Sequence, residues 1–334
     1  MTVDDDHRHM LRAVELAAGV RTATSPNPWV GCVLVTATGQ DFEGATHPPG
    51  GPHAEAVALA AATAAGADTR GATVYVTLEP CSHHGRTPPC ADALVDAGVA
   101  RVVVGLRDPD PQVDGRGVAR LREAGVEITE GVAADVVADQ LAPFVTHRTT
   151  GRPRVVLKLA ASLDGRTAAP DGSSRWITGE AARADAHRLR AESDAVLVGA
   201  GTVRADDPSL TVRHVEGPDP LRVVLGTAPP GARVRPCLEV SGDLSGILDD
   251  LGARGVLQVL VEGGATVAGA FHRAGLVDAY VLYLAPALFG GDDARGLFAG
   301  PGAATMAGVW RGRIARVTAL GDDIRVDLHP ARST

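Results

Sequence analysis

Three side chains that lie far apart along this chain constrain its fold more than any other feature. His53 stands in the run Gly51-Pro52-His53-Ala54-Glu55, Cys81 follows Pro80, and Cys90 follows Pro89. Singly, each is ordinary, since a histidine beside an alanine-rich stretch and two buried thiols are common. Their order is not: His-x-Glu, then Pro-Cys, then a second Cys is a set of metal ligands with a carboxylate close by. A fold that uses this set must bring His53, Cys81 and Cys90 to one point. A catalytic zinc site takes three protein ligands and leaves the fourth tetrahedral position to water. The imidazole and the two thiolates supply those three. Zinc lowers the pKa of the water, and Glu55 is placed to carry a proton from it to a departing amine. That is the chemistry of hydrolytic deamination of a base. Eight residues separate the cysteines, whereas the common base-deaminase signature has two. The pattern therefore points to a zinc deaminase, but away from the common cytidine type.

Local patterns indicate how the ligands meet. Met10, Leu11, Val14 and Leu16 recur at helical spacing and predict a helix over 7–20. After Ser25-Pro26-Asn27-Pro28, residues 29–35 read as a buried strand and 41–46 as its hairpin partner. Gly50-Gly51-Pro52 leads into an alanine-rich helix headed by His53. Residues 73–78 form a strand that delivers Glu79-Pro80-Cys81, Pro89-Cys90 opens a helix over 91–97 with Gly98 as its stop, and 99–106 is a further strand. The alternation predicts an α/β sheet covered by helices. His53 and Cys90 then fall at helix starts, where free N–H groups favour thiolate and keep the imidazole neutral.

At 334 residues the chain is long for one core. A break spans Pro143 to Pro153, after which a second alternation begins: strand 155–160, helix 180–192, strands 194–199 and 221–225, helix 244–253, strand 256–261 and helix 265–274. Strand runs at 278–285 and 313–328 close it. Two domains are expected, 1–147 and 148–334. The net charge of −8, without a basic tail, disfavours nucleic acid as a partner. The start Met-Thr-Val-Asp-Asp-Asp is unlike a signal peptide, and no apolar run is long enough for a bilayer. Cys32 and Cys237 read as reduced thiols. A cytoplasmic protein with no membrane partner is expected.

The second half gathers polar groups of a different kind. Residues 255–261 read as a strand running into Glu262-Gly263-Gly264 and then a helix, so backbone N–H groups there suit a phosphate, although paired glycines serve close-packed turns equally well. Lys158 is the only lysine among 32 basic residues. Either it survives by chance or it marks a place that needs a compact, titratable ammonium rather than a guanidinium. Arg190 and Arg213 add two forks for a phosphate ester. From the residues alone, an anionic-ligand site follows.

These segments together resemble the bifunctional deaminase/reductase family of riboflavin biosynthesis. The resemblance runs nearly the whole length, through Pro26-Asn-Pro-Trp-Val-Gly31, His53-Ala-Glu55 and above all Thr77-Leu-Glu-Pro-Cys-Ser-His-His-Gly-Arg-Thr-Pro-Pro-Cys90. The last segment accounts for the wide cysteine spacing. Asp108-Pro-Asp-Pro-Gln-Val113 follows in the same order, and the second half matches at 158–166, 176–178, 202–208 and 261–264. The resemblance implies a cytidine-deaminase-like three-layer α/β/α domain before a dihydrofolate-reductase-like α/β domain. It implies small phosphoribosylaminopyrimidine substrates, Zn2+ and NADPH as cofactors, and a homo-oligomeric enzyme.

Carried over by residue, His53, Cys81 and Cys90 bind zinc, Glu55 shuttles protons, and Asn27 and Arg86 contact the deaminase substrate. In the reductase, Ser174, Arg190, Leu210, Arg213 and Glu262 resemble substrate contacts. Ala160, Trp176, Thr202, Asp206 and Gly264 resemble NADPH contacts, and Lys158 matches an active-site lysine. Two departures stand out: Asp110 occupies a position where the family often has Asn, and the interval from Leu225 to Gly255 is short. The rival reading keeps the deaminase but makes the second domain a redox-inactive substrate-binding module.

Overall fold

The computed structural model describes residues 3–82, 88–110 and 113–331, and the chain divides into two compact units between Gly151 and Arg152. The first unit runs α1 (Val3–Thr24), β1 (Gly31–Val35), β2 (Asp41–Ala45), α2 (Ala54–Ala64), β3 (Thr73–Leu78), α3 (Cys90–Asp96), β4 (Arg101–Leu106), α4 (Arg116–Glu123), β5 (Glu127–Glu130), α5 (Ala134–Gln140) and α6 (Ala142–Thr150). Its sheet has the order β2-β1-β3-β4-β5. β1 is antiparallel to both neighbours, whereas β3, β4 and β5 run parallel.

β1 and β3 are buried along their whole length, as expected of strands covered on both faces. Two glycines show how closely the layers approach. Gly31 of β1 abuts Ala13 of α1, and Gly44 of β2, pointing to the opposite face, abuts α2. A Cβ on Gly44 would lie 2.1 Å from the Ala54 carbonyl oxygen. Only glycine lets the first turn of α2, and His53 just before it, press onto the sheet. The result is a three-layer α/β/α arrangement.

α1 begins earlier than its apolar spacing suggests. Asp4, Asp5 and Asp6 occupy its first turn, where carboxylates suit the positive end of the helix dipole. Asp6 is also buried: Arg101 donates to it twice at 2.8 Å and the Tyr75 hydroxyl donates at 2.9 Å. The boundary expected at 147/148 falls inside α6, which continues to Gly151, a left-handed C-cap at φ 73°. Helices α5 and α6 show no clear apolar period in the sequence, whereas α4, absent from the expected elements, buries Val118 and Leu121 at helical spacing.

The second unit runs β6 (Arg154–Ser162), β7 (Arg166–Ala168), α7 (Glu180–Ala191), β8 (Ala195–Gly199), α8 (Ala200–Asp206), β9 (Leu221–Leu225), β10 (Leu238–Val240), α9 (Leu244–Ala253), β11 (Gln258–Val261), α10 (Ala265–Arg273), β12 (Ala279–Ala285), β13 (Arg295–Gly296), β14 (Gly312–Leu320) and β15 (Asp323–Pro330). The large sheet has the order β10-β9-β8-β11-β6-β12-β15-β14. It is parallel from β10 to β12, and β15 and β14 close it antiparallel. The closing run expected over 313–328 is thus a hairpin, broken at Gly321, whose φ of 66° only glycine adopts readily.

β6 lies inside this sheet, and its side chains alternate between two cores. Val155, Leu157 and Leu159 join α9 and α10 on one face. Val156 joins Ala182, Ala186 and Leu189 of α7 on the other. Period-two alternation therefore directs Lys158 and Ala160 to the α7 side.

Candidate functional site

In the first unit, His53 is the N-cap of α2 and Cys90 the first residue of α3. Cys81 follows β3 and is clamped by the start of α3: the Cys90 N–H donates to its Sγ at 3.4 Å and the Ala91 N–H to its carbonyl at 3.1 Å. His53 Nδ1 lies 3.6 Å from Cys81 Sγ and 3.3 Å from Cys90 Sγ. All three ligand atoms lie within 4.8 Å of one another. Zinc–ligand bonds of about 2.0–2.3 Å at tetrahedral angles put neighbouring N and S ligands roughly 3.6 Å apart, so this donor set fits zinc without rearrangement. The pair of thiols already shares charge unequally. Donation from Cys90, reinforced by His53, lowers the Cys81 thiol, and the Cys90 thiol is correspondingly raised.

Glu55, in the first turn of α2, is 3% exposed. Burial pushes its carboxyl up to about 7. With Asn27, His53, Cys81, Glu79, Asp108, Asp110 and Arg148 it lines a cavity of about 230 Å3. Arg86 lies outside the described residues. Glu79 has a different task from its neighbours in the motif. Its carboxylate accepts the N–H groups of Asp108 at 3.2 Å, Gly115 at 3.0 Å and Val118 at 3.0 Å. It thereby ties the end of β3 to the start of α4 and fixes the loop that carries Asp108 and Asp110. Burial pushes the Asp108 carboxyl up to about 6. Asp110 faces Arg148, with Oδ2 3.7 Å from Nε.

In the second unit a cavity of about 700 Å3 opens beside α7. Lys158, Ala160, Ser174, Trp176, Arg190, Thr202, Asp206, Leu210, Arg213 and Glu262 all line it. Lys158 comes from β6, Arg190 from α7, Thr202 and Asp206 from α8, and Glu262 from the end of β11, where its N–H is held by the Leu197 carbonyl at 2.9 Å. Arg190 has three of its five guanidinium N–H groups engaged inside the protein. Its Nε and Nη2 donate to the two Glu262 oxygens at 2.5 and 2.9 Å, and Nη1 donates to the Thr211 carbonyl. Burial alone would raise the Glu262 carboxyl, but Arg190 and then Lys158 overcome it and hold it at about 2. Lys158 is lowered by burial, with Glu262 opposing and Arg190 assisting. Arg213 is exposed, and its Nη1 donates to Ser209 Oγ at 2.9 Å.

The paired glycines have separate reasons. A Cβ on Gly263 would lie 2.5 Å from Val267 Cβ, so that glycine serves packing. Gly264 is exposed and is the N-cap of α10, with no side-chain cap. Its own N–H reaches Thr202 Oγ1 at 3.3 Å. No side chain caps α10, and Thr202, which Gly264 contacts, lines the cavity; an uncapped helix start there suits a pyrophosphate and hence a dinucleotide such as NADPH. Trp176 stands 70% exposed at the rim, with the Arg183 guanidinium 4.8 Å from its ring centroid.

The model of the RibD C-terminal domain matches residues 153–326. The chain belongs to the RibD family. The model of the cytidine and deoxycytidylate deaminase zinc-binding region matches residues 3–106. The riboflavin biosynthesis protein RibD of Escherichia coli K12 is 40% identical over 366 residues, covering 97% of this chain and 99% of that one. RibD of Mycobacterium tuberculosis H37Rv is 43% identical over 334 residues, 95% of each chain. Among solved structures, Acinetobacter baumannii RibD superposes with a TM-score of 0.91 at 40% identity, over 99% of this chain and 100% of that one. A diaminohydroxyphosphoribosylaminopyrimidine deaminase/5-amino-6-(5-phosphoribosylamino)uracil reductase from Thermotoga maritima gives a TM-score of 0.89 at 36% identity, over 98% and 99%. As a RibD protein the chain is a bifunctional enzyme of riboflavin biosynthesis, with a zinc-binding deaminase domain and an NADPH-dependent reductase domain.

Some residues lining these RibD cavities were not among those singled out from sequence. Arg148 sits on α6, a helix without a clear apolar period. His187 carries a weak signal, since it precedes Arg190 by three residues and so shares its helix face. Glu79 was visible inside the motif, but its three backbone partners come from residues 29 to 39 positions away.

Proposed function

We propose that the chain catalyses two consecutive steps on one phosphoribosylated aminopyrimidine. In the first, water replaces the 2-amino group of 2,5-diamino-6-(5-phosphoribosylamino)pyrimidin-4-one. A C–O bond forms, the C–N bond breaks, and ammonia leaves. In the second, the ribosyl group of 5-amino-6-(5-phosphoribosylamino)uracil, in its open-chain form, takes up a hydride and a proton and becomes ribityl. One observation carries the reading. A single chain, similar to RibD relatives over nearly its full length, holds both a His-Cys-Cys cluster with a buried carboxylate and a Lys-Glu-Arg cavity beside an uncapped helix start. The Thermotoga maritima relative is itself named for both activities.

Zinc, when held by His53 Nδ1 and the Cys81 and Cys90 thiolates, supplies a Lewis acid and a water of lowered pKa. Glu55 moves the proton of the attacking water to the ring nitrogen and then to the departing amine. Asn27 and Arg86 orient the pyrimidine and its substituents. In the second unit, NADPH supplies the hydride when bound along Ala160, Trp176, Thr202, Asp206 and Gly264. The sugar receives its proton from the Lys158 ammonium or from a water beside it. Arg213 offers its exposed fork to the phosphate, and Ser174 and Leu210 complete that end. Arg190 holds Glu262 through two of its N–H groups and lines the same cavity. Fixing the phosphate defines where the reacting carbon sits.

A homo-oligomer in the cytoplasm belongs to the same reading. Exposed Ile314 and Val317 on the edge strand β14 support the first, and four cysteines without a disulfide support the second. The test is a coupled assay on the phosphorylated diaminopyrimidine, with and without NADPH, following products by mass. Ammonia and the aminouracil are expected without NADPH, and the ribityl product with it. An aminouracil that persists in the presence of NADPH sinks the second half, and no ammonia sinks the first.

A further inference from the structure

α7 brings a further polar side chain to the reductase cavity. His187 lines it together with Lys158, Arg190, Arg213 and Glu262, yet only 6% of the residue is exposed. Its Nδ1 accepts the backbone N–H of Arg213 at 3.0 Å. The His214 ring stands edge-on to it, with centroids 5.0 Å apart. A ring nitrogen that accepts an N–H bond carries no proton, so the neutral imidazole must hold its proton on Nε2. Burial pushes the ring down to about 4, and the cations Arg190 and Arg213 act in the same direction. The ring is therefore neutral at physiological pH. Nε2–H has no hydrogen-bond acceptor among the described residues and is not among the sealed, unsatisfied atoms.

We infer that His187 is a substrate-binding residue of the reductase, donating Nε2–H to an oxygen of the sugar-phosphate arm while Nδ1 holds the ring to the backbone of Arg213. This rests on the two-step reading above. The neighbours decide what the donor meets. Arg213 adjoins its Nδ1 side, and the Arg190 charge is matched by Glu262. Arg213, whose Nη1 is held by the Ser209 hydroxyl, has no carboxylate partner among the described residues, so its charge draws an anionic arm to this end of the cavity. A neutral N–H adds a directed hydrogen bond there without adding a third cation next to two guanidiniums. Because the backbone bond is made by Arg213 itself, the position of its phosphate-binding fork and the imidazole donor are set together.

The test uses the full-length protein with 5-amino-6-(5-phosphoribosylamino)uracil and NADPH, measuring kcat and both KM values. H187A is expected to raise the KM for the pyrimidine substrate about 10- to 100-fold, the range for losing one hydrogen bond to a charged group. The KM for NADPH should stay at the wild-type value. H187Q, whose amide can accept from Arg213 and donate from its NH2, should recover most of the loss. An unchanged substrate KM in H187A overturns the inference, as does a rise confined to the KM for NADPH. A 15N NMR measurement on labelled protein gives an independent check: the proton should sit on Nε2 at neutral pH, and a proton on Nδ1 overturns the assignment. Turnover by the wild-type protein in the same assay tests the two-step reading separately.

Discussion

Replacing Glu262 by Gln probes a buried, two-bond ion pair of the second unit. Glu262 and Arg190 are largely buried, with side chains 9% and 14% exposed, and meet through two parallel hydrogen bonds. The carboxyl lies at about 2 against an ordinary 4.5, which corresponds to about 3 kcal/mol of native-state stabilisation at neutral pH. The sign follows from the depressed value. The native state holds the carboxylate while the unfolded state protonates first, so the contribution is complete above pH 4.5 and lost as pH falls toward 2. E262Q leaves Arg190 facing a neutral acceptor inside the protein, and breaking one side of a buried pair costs about 3–5 kcal/mol. Both routes give about 3 kcal/mol. Hydrogen exchange of the β8 and β11 amides should report it, because β11 ends at Glu262 and pairs with β8. Protection in E262Q should fall at pH 7, and its gap from wild type should narrow below pH 4.5. Equal protection at pH 7, or a gap that does not depend on pH, would refute the argument. The same variant removes the charge that opposes desolvation of Lys158, so the basic limb of the reductase pH profile should move to lower pH.

Other changes test the first unit. E55A should retain about one zinc per chain by atomic absorption and lose ammonia release, because Glu55 is beside the metal ligands but not one of them; retained turnover would remove it from the mechanism. E79A strands the N–H groups of Asp108, Gly115 and Val118, at a cost of about 1–3 kcal/mol for each one left buried without a partner. Its urea midpoint should drop well below that of wild type, and an unchanged midpoint would mean water replaces the carboxylate. G44A places a methyl 2.1 Å from the Ala54 carbonyl oxygen, so α2 must shift and carry His53 with it. Competition with a chelator should show weaker zinc retention than wild type, while a wild-type profile would show that the sheet yields instead.

The metal centre was legible because its chemistry is written in short local motifs. His53-Ala54-Glu55 and the two Pro-Cys pairs each occupy a strand end or helix start that the flanking residues also announce. Strand β3, strand β9 and helix α9 could be read to the residue, since an apolar run or a helical period bounded by turn residues decides them. α5 and α6 could not, because tertiary packing rather than local period holds them. The residues of the second half alone pointed to an anionic-ligand site, but the reductase roles came through resemblance, because the cavity's residues come from β6, α7, α8 and the end of β11 and no local pattern joins them.

What the sequence determined by itself was therefore the ligand set, the carboxylate beside it, and the two-part α/β organisation. Tertiary structure alone decided which charges find each other. Arg190 and Glu262 are 72 positions apart, and only the parallel sheet brings the end of β11 next to α7 and engages part of a fork that reads, in sequence, as free for phosphate. The same folding assigns Gly263 to packing and Gly264 to an uncapped helix start, and it sets the His187 proton on Nε2 through a backbone N–H 26 residues away. Such roles depend on distances, and distances between remote residues exist only once the chain has folded.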